Sequence, residues 1–170
     1  MRNFFAILAV CMLAFIVGCS NYRLAGTAVN LPFSSVYVSP VRNVSYAPQA
    51  APLLTNAISK AIMQVPDLRV AYQSEAQATL STTIVNYEKI PIATKASDTA
   101  LAASYRITAT ALCTLTRSNG QVIFKDRPVK AFITVYTGPN NNLISNEYES
   151  MPVLMRELGD KVKDAVIGIW

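Results

Sequence analysis

With 170 residues, 15 Lys and Arg against 10 Asp and Glu, and no histidine, the chain is modest in size, mildly basic and poor in catalytic side chains. Without histidine it lacks the commonest general base, the usual nucleophilic triads and most zinc sites. The carboxylates are scattered, the six glycines form no phosphate loop, and no basic stripe with interleaved aromatics marks a nucleic-acid surface. A hydrolase would have to rely on Ser and Lys, yet no Ser-x-x-Lys follows the leader described next. The expectation is a protein that is not an enzyme and needs neither metal nor cofactor.

Met1-Arg2-Asn3 is a short basic start, and Phe4 to Val17 is an unbroken apolar run. That run is shorter than the roughly 20 apolar residues of a membrane span, so it reads as a secretory signal peptide over residues 1–18. Ile16-Val17-Gly18-Cys19 resembles the bacterial lipobox. The resemblance implies that the Cys19 thiol is diacylated, exposed by cleavage as the new N-terminus and then N-acylated, so covalent lipid is the one added group expected. Two or more fatty chains anchor a protein stably, whereas one does so marginally. Ser20 follows, where an aspartate would resemble an inner-membrane retention signal. The expected place is therefore the periplasmic leaflet of an outer membrane.

Losing residues 1–18 leaves 152, and losing Arg2 with them leaves 14 basic against 10 acidic residues, a net +4. That length suits one domain burying roughly 70% of its unfolded surface. The expected units are a lipidated tether over 19–33 and a single domain over 34–170. Cys113 alternates with Ile107, Ala109, Ala111 and Leu115, the pattern of a buried small hydrophobe rather than a reactive thiol.

Within the domain, Ser34 to Val41 reads as a β-branched strand ending near Pro40, and Arg42 to Pro48 as a loop. Leu54, Ile58, Ala61, Ile62 and Val65 repeat on one helical face, which predicts a helix from Ala50 to Val65 that Pro66 stops. Arg69 to Tyr72 is a short strand, and Thr79 to Ile90 and Ser104 to Thr116 are longer ones joined by a connection over Pro91 to Ala103. Asn119-Gly120 suits a type I′ hairpin leading into Gln121 to Tyr136, a strand whose Asp126-Arg127-Pro128 predicts a bulge or an edge position. Gly138 to Asn142 is a loop. A last helix, about Asn146 to Ile167, carries the stripe Met151, Leu154, Met155, Leu158, Val162, Ala165 and Val166. Glu147 and Glu149 read as acidic residues favourable near its N-terminus. Two amphipathic helices need a surface to cover, so the expected fold is an α/β two-layer sandwich. Its mostly antiparallel sheet of about four strands would lie under two helices.

Cys19, Asn21-Tyr22-Arg23-Leu24, Val36 to Asn43, Leu53-Leu54-Thr55 and the paired strands about Asn119-Gly120 together resemble LptE-type lipopolysaccharide-assembly lipoproteins. The resemblance implies a lipid-anchored plug inside an LptD-type outer-membrane β-barrel, a partner that helps the barrel assemble and receives lipopolysaccharide. It further implies phosphate-contacting cations in two places. The loop between the middle strands offers Lys95, flanked by Lys89 and Arg106, whereas the loop before the last helix, Gly138 to Asn146, holds no Lys or Arg. Lys125, Arg127 and Lys130 form the densest basic cluster and are candidates to replace it, by charge-assisted bonds to phosphate oxygens. For each, a solvated strand face or lysine protection of a sheet edge is the competing explanation. Tyr37, Tyr46, Tyr87, Tyr105 and Tyr136 have the area and polar handle to pack on a barrel wall, but alternation leaves their face open. The same strand-helix opening is also similar to cell-wall-synthase activators and curli-secretion-type lipoproteins. Those would make this an interaction module with a different partner.

Overall fold

The structure, a computed structural model, describes residues 31–47, 49–95, 98–137 and 143–168. The signal peptide, Cys19, most of the tether and the loop over 138–142 lie outside these residues.

Strand β1 (Ser35–Val38) leads through strand β2 (Arg42–Asn43) into helix α1 (Ala50–Met63). The segment expected as loop thus opens with a two-residue strand, because Arg42 and Asn43 pair in parallel with Thr83 and Ile84 of the next long strand. Helix α1 buries Ala50, Leu54, Ile58, Ala61 and Ile62, the anticipated stripe. It ends two residues early: Gln64 and Val65 close single turns onto Ala61 and Ile62 ahead of Pro66. Thr55 ties the helix to the sheet, its hydroxyl accepting the Val41 N–H at 3.0 Å and donating to the Ala51 carbonyl at 2.9 Å.

Strand β3 (Arg69–Val70) is followed by three long strands, β4 (Ala78–Lys95), β5 (Asp98–Arg117) and β6 (Val122–Tyr136), and by helix α2 (Leu143–Ile167). The sheet runs β3-β1-β4-β5-β6, with β2 also on β4, so the described residues form six strands where about four were expected. Two of them are only two residues long: β3, which falls within the short strand expected over Arg69 to Tyr72, and β2, which was read as loop. Pairings among β1 to β4 are parallel, and β4-β5-β6 form an antiparallel meander. The fold is a mixed α+β, two-layer arrangement, with both helices on one face of an open sheet.

The expected connection over Pro91 to Ala103 is instead the far end of a hairpin, paired as far as Lys95 opposite Asp98. Proline is tolerated there for a geometric reason. Odd-numbered β5 residues turn their backbone groups to β6, as the Thr137 N–H bond to the Ala103 carbonyl shows, and even-numbered ones turn to β4. Pro91 lies opposite Tyr105, so its nitrogen faces away from β5, where no strand needs a donor. Pro128 lies opposite Leu112, so by the same rule its nitrogen looks outward from the edge strand β6. The anticipated bulge stands beside it, with Asp126 at φ 49°.

The Asn119-Gly120 turn is not type I′, which requires positive φ at both central residues. Of the two, Gly120 alone is positive, at φ 85°. The Gly120 N–H bonds the Arg117 carbonyl and the Arg117 N–H bonds the Gln121 carbonyl, a type I turn closed by a glycine bulge.

The core lies between sheet and helices. Val36, Val38, Ala78, Leu80, Ile84, Ile107, Ala109, Ala111, Cys113 and Leu115 face the stripes of α1 and α2. All seven residues expected to form the α2 stripe are buried. The helices meet closely at Gly159, where a Cβ would come within 2.9 Å of Ala57. Among the described residues no helix is long and apolar enough to cross a membrane.

Candidate functional site on the distal hairpin

The meander outgrows its helical cover. Strand β4 loses its parallel neighbours after Ile84, and a bulge between Ile84 and Asn86 restores alternation one residue out of phase. Tyr87 and Lys89, opposite Ala109 and Ile107, therefore lie on the helix side, and Ile90, opposite Arg106, lies on the open side. A sequence pattern without that bulge assigns these side chains to the wrong faces.

The six cations proposed as phosphate ligands do not form one cluster. Arg106 and Lys130 share the open face of β5 and β6, opposite Thr134 and Thr110 respectively. Lys95 stands at the hairpin end and Lys125 at the bulge near the other end of β6. Those two lie roughly 45 Å apart along the strands, at ~3.3 Å per residue. Arg127 is turned to the helix side, where its guanidinium donates to the Ala165 carbonyl at 3.2 Å and stacks 5.7 Å from the Phe124 ring centre. It neutralises the carbonyl end of α2 and has a structural role there. Lys89 is paired, its ammonium 2.7 Å from Glu147 of α2 and 6.0 Å from the Tyr105 ring centre.

The open face brings together what the sequence left unconnected. Arg106 lies over the ring of Phe132 at 5.2 Å, and Phe132 and Tyr136 are 61% and 74% exposed on the same strand face as Lys130. Ile90, 45% exposed, borders Arg106. This is an apolar-aromatic strip with two cations, suited to an amphiphile carrying negative charge. Phe132 was not singled out from sequence, although it stands midway between Lys130 and Tyr136 at period two and was legible there. Of the other tyrosines, Tyr46 is almost fully exposed in the β2–α1 loop, and Tyr37 lines a surface hollow with Tyr72 and Arg69.

On the helix side, Glu147 accepts the Tyr87 hydroxyl at 2.5 Å through Oε1 and Lys89 through Oε2. Burial opposes ionisation of Glu147, but the bonds from Lys89 and Tyr87 and the Lys89 charge outweigh it, so its pKa falls below the ordinary value. Burial and the neighbouring carboxylate drive the Tyr87 hydroxyl strongly upward. Helix α2 begins before Asn146, so Glu147 does not sit in its first turn. Its pairing, rather than the helix terminus, accounts for its position. Cys113 is buried against Thr82, and burial pushes its thiol up to about 11 despite that contact and the nearby Arg127 charge. No group of three or more metal-ligating side chains occurs among the described residues.

The chain is thus an open α+β sheet with helices on one face and cations with aromatics on the other. Comparison with known proteins narrows that class. The family model described as "LptE: Lipopolysaccharide-assembly" matches residues 33–166, nearly all of the folded region, and the chain belongs to that family. The family is one of non-enzymatic assembly lipoproteins. No curated protein matches the chain.

Similar folds occur in a minor lipoprotein of Acinetobacter baumannii, with TM-score 0.54 and 10% identity over 81% of this chain and 95% of that one. Lipoprotein B of Nitrosomonas europaea gives 0.51 at 13% identity, over 86% of this chain and 88% of that one. A Xanthomonas campestris protein gives 0.51 at 11% identity, over 82% and 86%. At these identities the likeness is one of fold.

Proposed function

We propose that this chain is an outer-membrane lipoprotein, held on the periplasmic face by lipid on Cys19. It acts there as plug and assembly partner of an LptD-type β-barrel and aids lipopolysaccharide transport to the outer leaflet. The observation that carries this reading is the family match over residues 33–166. The shape agrees with it. Strand β4, 18 residues long, extends roughly 60 Å at ~3.3 Å per residue, more than the ~25 Å apolar band of an outer-membrane barrel. A barrel of many strands leaves a lumen that a bound element has to fill.

In this reading Arg106 and Lys130, with Phe132 and Tyr136 beside them, take the anionic amphiphile, and Lys95 and Lys125 add charge at the two ends of the meander. Arg127 stays committed to α2. Affinity purification of the tagged, lipidated protein from detergent-solubilised outer membrane tests the proposal. Stoichiometric recovery of a large β-barrel is expected. Recovery of a cell-wall enzyme or a self-oligomer instead would overturn it in favour of an interaction module. In the same strain, Cys19→Ala should move the protein out of the membrane fraction. An unchanged membrane fraction would remove the lipid anchor from the proposal.

A further inference from the structure

We infer that Tyr87 and Lys89 form an oxyanion site that the chain's own Glu147 occupies, and that a phosphate group competes with this carboxylate for it. The geometry is that of a two-oxygen acceptor: the hydroxyl takes one carboxylate oxygen at 2.5 Å and the ammonium takes the other at 2.7 Å. A phosphate monoester presents the same pair of oxygens and carries −1.5 to −2 charge where a carboxylate carries −1. Lys89 retains 33% of its side-chain exposure, so the site is reachable from solvent. The ring of Tyr105, its centre 6.0 Å from the ammonium, supplies a second attraction for the cation.

The segment that brings Glu147 to the site is lightly held. Its described side chains, Asn146 to Ser150, are all half-buried or exposed, and the core stripe of α2 starts at Met151. Pro152 follows at once, so the carbonyl of Tyr148 receives no bond from the residue four positions on. Besides the Glu147 contacts, Asn146 donates its amide to the Tyr136 carbonyl at 3.1 Å. Displacing Glu147 therefore costs a few polar contacts and, among the described side chains, no core residue. A ligand that gains more at Lys89 than Glu147 loses shifts the first turns of α2 away from the hairpin. Glu147 in turn acts as a tethered competitor, which sets a threshold that weak free anions do not cross. The phosphate could be free or the headgroup of a lipid. The choice of an amphiphile rests on the function proposed above.

The test uses the full-length lipidated protein in dodecyl maltoside micelles, titrated with dodecyl phosphate or with inorganic phosphate, for wild type, Glu147→Gln and Lys89→Gln. Glu147→Gln should bind dodecyl phosphate at least 3-fold more tightly than wild type, and Lys89→Gln should bind it more weakly. In wild type, saturating dodecyl phosphate should speed hydrogen exchange across residues 143–150, with no change elsewhere in α2. A response to inorganic phosphate equal to that for dodecyl phosphate would identify a free-phosphate site; a response confined to dodecyl phosphate would identify a headgroup site. Unchanged affinity in Glu147→Gln, or binding without faster exchange in wild type, would overturn the inference and leave Glu147 a structural ion-pair partner. The outcome is separable from the plug reading. Tighter binding by Glu147→Gln in a protein that recovers no barrel would sink the plug alone. A recovered barrel with an indifferent Glu147→Gln would sink the competition alone.

Discussion

Gly159→Ala sets two effects of known sign against each other. Replacing glycine by alanine inside a helix stabilises by about 1 kcal/mol on propensity alone. At this position, however, the new Cβ would stand 2.9 Å from both the carbonyl carbon and the Cβ of Ala57 and 3.1 Å from the nitrogen of Ile58. Carbon atoms pack best at roughly 3.5–4.0 Å, so the helices would have to part by about 0.6 Å or more. The contact is with backbone of α1, which cannot swing aside as a flexible side chain would. Met155, Leu158 and Val162, all fully buried on the same helix, would be unseated together. Overpacking of this kind costs about 1–3 kcal/mol, so packing wins and the net loss reaches up to about 2 kcal/mol. For a domain of this size that is a fall in Tm of up to about 8 °C, at ~4 °C per kcal/mol. Urea and thermal unfolding followed by circular dichroism would measure it. A rise in Tm for Gly159→Ala would show that propensity acts unopposed and would refute the close helix contact.

Three further outcomes are expected. Leu158→Ala opens a cavity at a fully buried position and should cost about 2–5 kcal/mol in urea unfolding; wild-type stability would mean that α2 faces the sheet differently. The depressed pKa of Glu147 means its contacts contribute stability above about pH 4, the unfolded value, and lose it as pH falls through the folded one. The Tm difference between wild type and Glu147→Gln should therefore be positive at pH 7 and shrink below pH 4, and a pH-independent difference would count against the ion pair. Cys113, with its thiol pushed up to about 11, should react with a thiol reagent at pH 8 only after denaturant is added, whereas fast labelling of the native protein would place it at the surface.

Local pattern was enough for the elements that bury a periodic face. The α1 residues Leu54 and Ile58 and the α2 stripe from Met151 to Val166 declare themselves at helical spacing, and Pro66 ends its helix by its own chemistry. The family resemblance was legible as well, through short segments in their order along the chain. Pairing decided the rest, because a strand's neighbours lie far away in sequence. Arg42 and Asn43 become strand only beside Thr83 and Ile84, and Pro91 stays in a strand only because its nitrogen faces away from Tyr105's strand. The bulge after Ile84 sets which way Tyr87 and Lys89 point, and no period-two count across it can tell. Charges followed the same rule. Lys89, Arg106 and Arg127 look alike as letters, yet the fold gives one to Glu147, one to Phe132 and one to the end of α2. Sequence determined the charge each residue carries, and tertiary structure alone decided which charges remain free to bind, since a partner is a matter of distance in space and not of position in the chain.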